Sequence, residues 1–434
     1  MRRFRHVIVS LTALAMLFGL TAGPLLIGAE AQDQVELRVW DQFTDPEESA
    51  VADGIYAAFT EANPNITITR EAFETDQMRD TVNTAIASGT GPDVIFYDAG
   101  PGYAGVLVDA GLLLPLTDYA AEYGWTDSVF PSAQEGTTID GQLYGMPLQT
   151  DLIGMYYNKT LLDQEGLAVP TTLDELIAFC GAAKEKGYIP IAFANNPGWQ
   201  AFHQYSMTIS QMMGPDALRA KLLDNEGSWN TPEGVTAVKS FFVDLPAAGC
   251  FPDDVNAIPY EDGNSLFFTG QALLHTTGSW IAGDIEEAMG DYELGFVPFP
   301  VIEEGNEPTW VSGVGSAYFI SSKTEYADEA ASLIDFLFSQ PAVEKWVQDA
   351  RYFVPVKFDP SGLTLGPVNQ TIIDILQNAE TEGTAFGYNV DVLAPPPFNE
   401  MMQSGFQAVI AGDKTAEQQA ADLDAAWNEG MPES

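Results

Sequence analysis

The 434-residue sequence contains few of the side chains on which metal and enzyme sites usually depend. It has two cysteines and three histidines, and Cys180 and Cys250 lack the short spacing of metal-binding motifs. The Gly-x-Ser-x-Gly elbow of serine hydrolases and the glycine-rich fingerprints of nucleotide-binding proteins do not occur. Carboxylates are so numerous that a glycosidase pair could be assembled almost anywhere, so they identify no such site. We therefore expect no catalytic activity, no cofactor and no metal ion.

Positive charge is also scarce. The chain has 17 Lys and Arg residues against 62 Asp and Glu residues, which gives a formal net charge of −45. Affinity for nucleic acid and for anionic lipid depends on Lys and Arg contacts to phosphate, so this balance excludes a nucleic-acid partner. The acidic residues are spread along the chain without a long single-sign block, which is typical of a solubilising surface.

Long apolar runs are confined to the beginning of the chain. A basic stretch at residues 1–6 precedes the apolar run at residues 7–20 and the small-residue sequence at residues 29–31. This order predicts a secretory signal peptide over residues 1–31. Arg2 and Arg3 lack the surrounding twin-arginine pattern, and neither cysteine lies near the cleavage point, which argues against a lipid anchor. We expect a secreted monomer, free in the periplasm of a two-membrane bacterium.

The two cysteines leave two alternatives open. Leu173, Leu176, Ile177 and Cys180 have the i, i+3, i+4, i+7 spacing of a buried helix face, so Cys180 is expected in the core. Cys250 follows a second apolar helix pattern. In an exported protein these two residues form either a disulfide between neighbouring helices or two buried thiols.

Predicted strands and helices alternate along most of the chain. A strand at residues 35–40 is followed by a helix that starts at Asp45 and Pro46, and then by another strand at residues 66–73. The alternation returns around residues 152–157, and residues 292–321 have a third strand-rich pattern before several long helices. Such alternation predicts an α/β layer architecture.

Large aromatic side chains lie at or near the ends of several predicted elements. They are Trp40, Trp199, Trp280, Trp310 and Phe398, each beside Gly, Pro, Asn or Asp. A single buried tryptophan is ordinary core packing, but a group of them among carboxylates and amides suits a sugar. The C–H face of a pyranose packs on an aromatic ring, and its hydroxyl groups pair with polar side chains.

The stretch GQALLHTTGSWIAGDI places a tryptophan directly after small and apolar residues. We expect residues 272–277 to form a strand, Gly278 and Ser279 to form the turn, and Trp280 to start a helix. The indole would then project at the carboxyl end of a strand, which is where ligands bind in open α/β sheets.

Several motifs together resemble one family. The most specific are YGMPLQTDLIGMYYNK and GQALLHTTGSW, and GTGPDVIFYDAG and PTTLDELIAFCGAAKEKGYIPIA occur in the same order. This sequence resembles the extracellular solute-binding proteins of carbohydrate ABC importers, the maltose-binding-protein group or family 1. The resemblance covers most of the chain after residue 31.

The resemblance implies a periplasmic-binding-protein-like fold, in which two discontinuous α/β lobes are joined by a hinge and close on a ligand. It places residues 35–146 and 292–326 in one lobe and residues 147–291 and 327–434 in the other. Residues 147–151 would cross between them. The implied function is extracytoplasmic binding of a sugar or oligosaccharide and its delivery to the permease subunits of an ABC transporter.

The resemblance also suggests site residues. Trp280 would stack on the sugar, and Asp151 would accept a hydroxyl hydrogen bond near the hinge. Phe398 stands where related proteins often place another aromatic, and Gly313 would bring backbone close to the ligand. Further ligand contacts are expected at the ends of three strands, from Trp40, Asp41, Gln42, Tyr97, Asp98, Asn196 and Trp199.

The arginines favour an uncharged ligand. Phosphate and carboxylate ligands usually require a bidentate arginine. After residue 31 the chain has only five, and none lies in a loop proposed for the site: Arg38, Arg70, Arg79, Arg219 and Arg351. We therefore expect a neutral sugar or oligosaccharide. A secreted carbohydrate-active enzyme and a sugar-sensing adhesion module are the alternative functions.

Overall fold

The computed structural model describes residues 34–382 and 386–431, so the predicted signal peptide over residues 1–31 lies outside the described residues. The strands are β1 (Val35–Asp41), β2 (Ile66–Ala72), β3 (Val94–Asp98), β4 (Thr138–Ile139), β5 (Gln142–Leu143), β6 (Gly145–Pro147), β7 (Thr150–Asn158), β8 (Ile189–Ala192), β9 (Ala272–Gly278), β10 (Leu294–Val297), β11 (Val311–Val314), β12 (Ser316–Ile320) and β13 (Gly387–Tyr388). The helices are α1 (Pro46–Ala62), α2 (Thr75–Ala87), α3 (Ala104–Asp109), α4 (Thr117–Tyr123), α5 (Trp125–Ser128), α6 (Pro131–Glu135), α7 (Lys159–Glu165), α8 (Leu173–Glu185), α9 (Gln200–Met213), α10 (Pro215–Leu223), α11 (Pro232–Lys239), α12 (Leu245–Ala247), α13 (Tyr260–Phe268), α14 (Ala282–Ala288), α15 (Ala327–Leu337), α16 (Gln340–Gln348), α17 (Pro367–Glu382), α18 (Pro396–Ala411) and α19 (Ala416–Gly430).

Lobe 1 is built on a five-stranded sheet with the order β2-β1-β3-β12-β6. Strands β1, β2 and β3 are parallel, and β12 runs antiparallel to both β3 and β6. The first crossover helix, α1, begins where the sequence predicts: the Asp45 carboxylate accepts a hydrogen bond from the Glu47 backbone N–H at 2.8 Å, and Pro46 is the first helical residue.

Lobe 2 is built on a six-stranded sheet with the order β13-β11-β7-β9-β8, and β10 also pairs with β7. Strand β7 is the longest strand of this sheet, and seven of its nine residues are buried. Strand β9 is buried along its whole length. Both are covered by helices, which explains why their sequences read as nearly continuous apolar or small-residue runs.

The chain crosses between the two lobes three times. The first crossing joins β6 to β7 through Leu148 and Gln149, the second joins β11 to β12 through Gly315, and the third is the segment 349–366 between α16 and α17. The end of β3 lies at the second crossing, because the Ala99 N–H donates to the Gly315 carbonyl at 3.1 Å. The first two crossings are joined by a hydrogen bond from the Gly315 N–H to the Gln149 carbonyl at 3.3 Å.

The predicted lobe boundaries need correction after residue 291. Residues 292–326 were expected in lobe 1, but β10 and β11 pair with β7 in the sheet of lobe 2, and only β12 joins lobe 1. Helices α15 and α16, expected in lobe 2, pack on α1, and α15 also contacts β12. Local sequence pattern identifies a strand or a helix, but its pairing partner is set by residues far away in the chain.

A disulfide resolves the alternatives for the two cysteines. Cys180 in α8 and Cys250, which follows α12, are bonded to each other, and both are fully buried. The bond joins residues 70 positions apart within lobe 2. Among residues 34–382 and 386–431, no helix has both the length and the apolar character needed to cross a membrane.

Candidate ligand-binding cleft

Trp280 lies where a central strand of lobe 2 turns into a helix. Strand β9 ends at Gly278, a 3₁₀ turn spans Ser279–Ile281, and α14 begins at Ala282. A Cβ atom on Gly278 would lie only 1.8 Å from the Trp280 ring, so the indole folds back over the glycine backbone. The strand and the turn agree with the sequence prediction. The Trp280 ring leaves no room for a side chain at Gly278.

Tyr260, at the start of α13, fixes the orientation of this ring. The Trp280 indole N–H donates a hydrogen bond to the Tyr260 hydroxyl at 2.7 Å, and the same hydroxyl lies 3.1 Å from the Thr277 hydroxyl. Because the indole N–H is already bound, the ring can offer an apolar face to a ligand without leaving a donor unsatisfied.

Four side chains form a continuous surface that we call the aromatic wall: Trp199, His203, Tyr260 and Trp280. Ring centroids are 4.7 Å apart for Trp199 and Tyr260 and 4.7 Å apart for His203 and Trp280. Burial, aided by the charge of Arg79, lowers the pKa of His203 to about 3, so this ring is neutral near neutral pH. The wall is therefore apolar and uncharged on the lobe 2 side.

A cavity behind the wall is too small to be the ligand site. It has a volume of about 10 Å³ and lies among polar side chains that include Gln204, His275 and Thr276. Such a volume holds about one water molecule. No group of three or more His, Cys, Asp or Glu side chains in the described part of the chain is placed to hold a metal ion.

Asp98 and Arg79 contribute a charged pair from lobe 1. Asp98 ends β3, and its two carboxylate oxygens accept hydrogen bonds from Arg79 Nε and Nη2, both at 3.0 Å. Gln42 Nε2 is 3.4 Å from the same carboxylate. Arg79 lies in α2, outside any predicted loop, yet its side chain reaches a predicted site residue. Arg79 therefore lies outside the predicted site loops, as expected, but its guanidinium contacts the predicted site residue Asp98.

Asp41 does not offer its carboxylate to a ligand. The side chain is completely buried and accepts hydrogen bonds from Arg70 Nε at 2.6 Å and Arg70 Nη2 at 2.8 Å. Its oxygens also accept from the Phe43 backbone N–H and the Tyr56 hydroxyl. Its prediction as a ligand contact is wrong because the strand end turns this carboxylate into the lobe.

The other aromatic residues predicted in lobe 1 lie in or against a hydrophobic cluster. Tyr97 is buried in β3, within the same cluster as Phe73. Trp40 is half-buried at the end of β1, and its ring centroid lies 4.6 Å from that of Phe73. Packing accounts for most of the Tyr97 surface, whereas Trp40 keeps an exposed part, so its ligand contact remains a prediction.

Asp151 lies at the junction of two crossings. Its carboxylate accepts hydrogen bonds from Gln149 Nε2 at 3.0 Å and from the Ser279 hydroxyl at 3.1 Å. Burial raises the pKa of Asp151 to about 7, and these two hydrogen bonds only partly offset the effect. A Cβ on Gly315 would lie 2.6 Å from this carboxylate. Asp151 thus links the hinge to the turn that carries Trp280.

Gly313 is explained by packing within lobe 2. It pairs with Asp151 between β11 and β7, and a Cβ at this position would lie 2.8 Å from the Cβ of Asn389. The glycine therefore permits close approach of Asn389. Its predicted contact with a ligand has no support beyond its position next to Asp151.

Two predicted aromatic contacts belong to the core of lobe 2. Phe398 is completely buried between Trp229 and Trp427, with ring centroids 4.8 Å and 5.3 Å away. Trp310 packs on Phe296 at 5.1 Å and covers Gly154, where a Cβ would lie 2.9 Å from the indole. Neither ring packs on the aromatic wall: Phe398 is enclosed by Trp229 and Trp427, and the half-buried Trp310 lies on Phe296 and Gly154.

The loop after β8 brings Trp199 to the wall. Asn196 precedes it, has an exposed side chain, and is joined to Pro197 by a cis peptide bond. The Asn196 carbonyl accepts a hydrogen bond from Gln200 Nε2 at 3.3 Å, which ties the loop to the start of α9. The Asn196 side chain is exposed, and its contact with a ligand remains a prediction.

Asp391 is a functional candidate that the sequence analysis missed. It lies in the 3₁₀ turn Val390–Val392, directly after β13, is 7% exposed, and its Oδ1 has no hydrogen-bond partner among the described residues. Burial raises the pKa of Asp391 to about 7, although the charge of Arg79 opposes this. Gly100 of lobe 1 packs directly against the carbonyl of Val392, so the lobes touch here.

The candidate site residues that the sequence analysis did not identify have one property in common. None of them lies at the end of a strand predicted from the sequence. Arg79, His203 and Tyr260 project from helices α2, α9 and α13. The available signal was helical spacing, because Arg79 follows Asp76 by three residues, on the same helix face. That spacing alone does not identify a cleft.

Comparison with known sequences identifies the family of this chain. Residues 54–358 match the bacterial extracellular solute-binding protein family. The multiple sugar-binding protein of Streptococcus mutans is 27% identical over 215 residues, which are 48% of this chain and 50% of that protein. The maltotriose-binding protein of Pyrococcus abyssi is 24% identical over 320 residues, which are 73% and 66% of the two chains. The chain thus spans half to two thirds of the length of these relatives.

A solved structure is similar over almost its whole length. It comes from work on xylan utilisation by Caldanaerobius polysaccharolyticus, with a TM-score of 0.80 and 23% sequence identity over 90% of this chain and 99% of that chain. This likeness confirms the predicted periplasmic-binding-protein-like fold. Since the family match extends over more than half of the sequence, the resemblance drawn from its motifs is confirmed as well: the chain belongs to the bacterial extracellular solute-binding protein family.

Proposed function

We propose that this protein binds a neutral sugar or oligosaccharide between its lobes and delivers it to an ABC-type permease. The observation that carries the proposal is the aromatic wall at the strand ends of lobe 2, with Trp280 held by Tyr260 at 2.7 Å. Relatives named for multiple sugars and for maltotriose support this ligand class. Trp199 and Trp280 are the stacking surfaces.

Polar groups from the strand ends and the hinge bind the hydroxyls of the sugar. Gln42 and Asp98 reach the cleft from lobe 1, and Asp151 lies at the hinge. Carboxylates and amides suit hydroxyl groups because they offer acceptors and donors without a net positive centre. Arg79 is already bound to Asp98, so it leaves no uncompensated cation for a phosphate or carboxylate ligand.

The mechanism is a shift between open and closed forms. Three crossings connect the lobes, so they can rotate relative to each other while each keeps its own sheet. A sugar that touches the aromatic wall and the strand ends of lobe 1 binds the closed form more tightly and stabilises it. The protein acts outside the cytoplasm as a monomeric carrier, catalyses no reaction, and presents the closed form to the permease.

A thermal-shift screen tests the proposal. The chain from Gln32 onward is heated with neutral mono- and oligosaccharides, and with phosphorylated sugars, uronic acids, amino acids and peptides as controls. A ligand that binds only the folded protein raises the melting temperature by mass action. We expect shifts confined to a group of neutral sugars that are recovered unchanged after incubation. Shifts only with anions or peptides, or a hydrolysed sugar, would contradict the proposal.

Truncation of Trp280 tests the role of the aromatic wall. Trp280→Ala should weaken binding of the sugar found in the screen by about 1–3 kcal/mol, because a large apolar contact surface is lost. Trp310→Ala is the matched control, since Trp310 is also half-buried in lobe 2 but packs on Phe296. Isothermal titration should show unchanged affinity for the control. Equal affinities of both folded variants would remove Trp280 from the site.

A further inference from the structure

The loop that carries Trp199 into the aromatic wall is held by helix α18. This loop, residues 193–199, joins β8 to α9, and we call it the Trp199 loop. The Gln407 side-chain amide donates one hydrogen bond to the Asn195 carbonyl at 2.8 Å and another to the Pro197 carbonyl at 3.1 Å. A glutamine amide has two N–H groups, so Gln407 uses both of its donors on the backbone of this loop.

Two further contacts fix the same loop on α18. Gln403, one helical turn before Gln407, donates to the Pro197 carbonyl at 3.0 Å. Gly198, the residue before Trp199, has a φ of +120°, a backbone conformation that favours glycine. A Cβ on Gly198 would lie 3.0 Å from both Gln403 Cγ and Gln407 Nε2. The backbone next to Trp199 therefore packs directly against the two glutamines.

Asn256 completes a closed chain of hydrogen bonds. Its side-chain amide donates to the Gln407 carbonyl at 2.9 Å, and its Oδ1 accepts from Asn195 Nδ2, also at 2.9 Å. Asn195 is fully buried, and its backbone N–H donates to the Val255 carbonyl at 2.9 Å. The segment with Asn256 leads directly to Tyr260 of the aromatic wall. The Trp199 loop is therefore tied both to α18 and to the segment before Tyr260.

Trp199 and Trp280 are held in place in different ways. The Trp280 indole N–H is bound to the Tyr260 hydroxyl at 2.7 Å, which fixes that ring directly. The half-buried Trp199 ring lies 4.7 Å from the Tyr260 ring and 5.5 Å from the His203 ring. Its position depends on the backbone of the Trp199 loop, which is where Gln407 donates its hydrogen bonds.

We propose that Gln407 is a positioning residue of the cleft, which holds the Trp199 loop so that the Trp199 ring lies in the aromatic wall before a sugar binds. The inference rests on the proposed function, in which Trp199 is a stacking surface. A ring that is ordered in advance loses less conformational entropy on binding, so the ligand is bound more tightly. Gln403, with one hydrogen bond to the loop, has the same role to a smaller extent.

The first test follows the Trp199 ring without a ligand. Gln407→Met removes the amide but keeps a side chain of similar length and helix propensity. The chains are labelled with fluorinated tryptophan, and the Trp199 resonance in the fluorine NMR spectrum is assigned by its loss in Trp199→Phe. We expect this resonance to shift or broaden in Gln407→Met. An unchanged Trp199 resonance in the folded variant would overturn the inference.

Gln370→Met is the matched control. Gln370 is an exposed glutamine in the middle of lobe-spanning contacts of neither kind: its amide donates to Asp374 of its own helix, α17, at 2.8 Å. The Trp199 resonance and the sugar affinity of this variant should match those of the wild type. If Gln407→Met does not fold, as judged by circular dichroism, Gln403→Met replaces it. A smaller change of the resonance is then expected, and no change would count against the inference.

The second test measures sugar binding in a double-mutant cycle. Maltotriose and xylotriose are titrated by calorimetry into the wild type, Gln407→Met, Trp199→Ala and the double variant. We expect Gln407→Met to weaken binding by about twofold to tenfold, the scale of ordering one side chain. Because Gln407 acts through Trp199, it should have no further effect in the Trp199→Ala background. Unchanged affinity of Gln407→Met, or additive losses in the double variant, would overturn the inference.

The two tests separate this inference from the proposed function. If no neutral sugar binds the wild type, the proposed function fails, but the Trp199 resonance still decides whether Gln407 holds the loop. If a neutral sugar binds the wild type and Gln407→Met equally well, the proposed function stands and the positioning role of Gln407 is refuted.

Discussion

Two neighbouring strands of lobe 1 end in the same way and yet lead to different environments. Asp41 ends β1 and Asp98 ends β3, and each carboxylate is held at both oxygens by one arginine. The Asp41 carboxylate is fully buried and the Arg70 side chain is 12% exposed, whereas the Arg79 side chain is 26% exposed. Two pairs with the same residue types therefore need not have the same role. The difference between them is the solvent exposure of the arginine side chain.

Breaking the buried Arg70–Asp41 pair should produce the largest loss of stability. Asp41→Asn keeps the shape of the side chain but leaves Arg70 buried with only Asp53 as a charged partner, so we expect a loss of about 3 kcal/mol in the free energy of unfolding. Guanidinium denaturation monitored by circular dichroism measures this. A loss below about 1 kcal/mol would mean that the enclosed pair is energetically equivalent to a surface pair.

Asp98→Asn should lower the free energy of unfolding by less than Asp41→Asn does. Arg79 can turn its partly exposed guanidinium towards water when the carboxylate charge is removed, so we expect a loss of about 1 kcal/mol in the same denaturation experiment. The effect should diminish in high salt, because the pair is partly open to solvent. Equal losses for Asp41→Asn and Asp98→Asn would break the distinction between the two pairs.

Asp151 is a third buried carboxylate, and it forms hydrogen bonds with Gln149 and Ser279 and not with an arginine. Burial raises its pKa from 3.8 to about 7, so between these values the folded protein keeps a proton that the unfolded chain releases. The contribution of Asp151 to stability should therefore increase as pH falls from 7 to 6, by about 1 kcal/mol. Denaturation of Asp151→Asn at both pH values should show a smaller increase than the wild type. Identical pH dependence would mean that Asp151 is ionised in the folded protein.

Much of the local structure follows from short sequence signals. Strand β9 spans Ala272–Gly278, in agreement with the expected residues 272–277, and α1 starts at the predicted Asp45 and Pro46. These signals act within one or two helical turns, because a cap, a proline or an apolar stripe acts on its own neighbours. Lobe membership does not follow in this way, since β10 and β11 are strands in the predicted region but pair with β7.

The same difference between local and long-range interactions explains why only part of the site could be predicted from the sequence. Trp280 lies at a strand end that local pattern could locate, and so does Asp98. Phe398 lies in the first turn of α18, but Trp229, from the loop between α10 and α11, and Trp427, from α19, enclose its ring. Arg79 and Asp391 could be recognised as candidate site residues only from the structure, because the fold brings α2 and the turn after β13 to one cleft. Sequence can locate the end of an element, whereas tertiary packing decides whether a side chain there is covered.

The steric fit between Gly278 and Trp280 has a consequence for how this cleft can evolve. The two residues share one volume, because a Cβ on Gly278 would lie 1.8 Å from the indole. Substitutions at the two positions are therefore not independent: Gly278→Ala is excluded while the tryptophan is present and becomes tolerable after Trp280→Ala. A substitution that adds a side chain at position 278 can therefore follow the loss of the tryptophan but cannot precede it, and a tryptophan can return at position 280 only while position 278 is glycine.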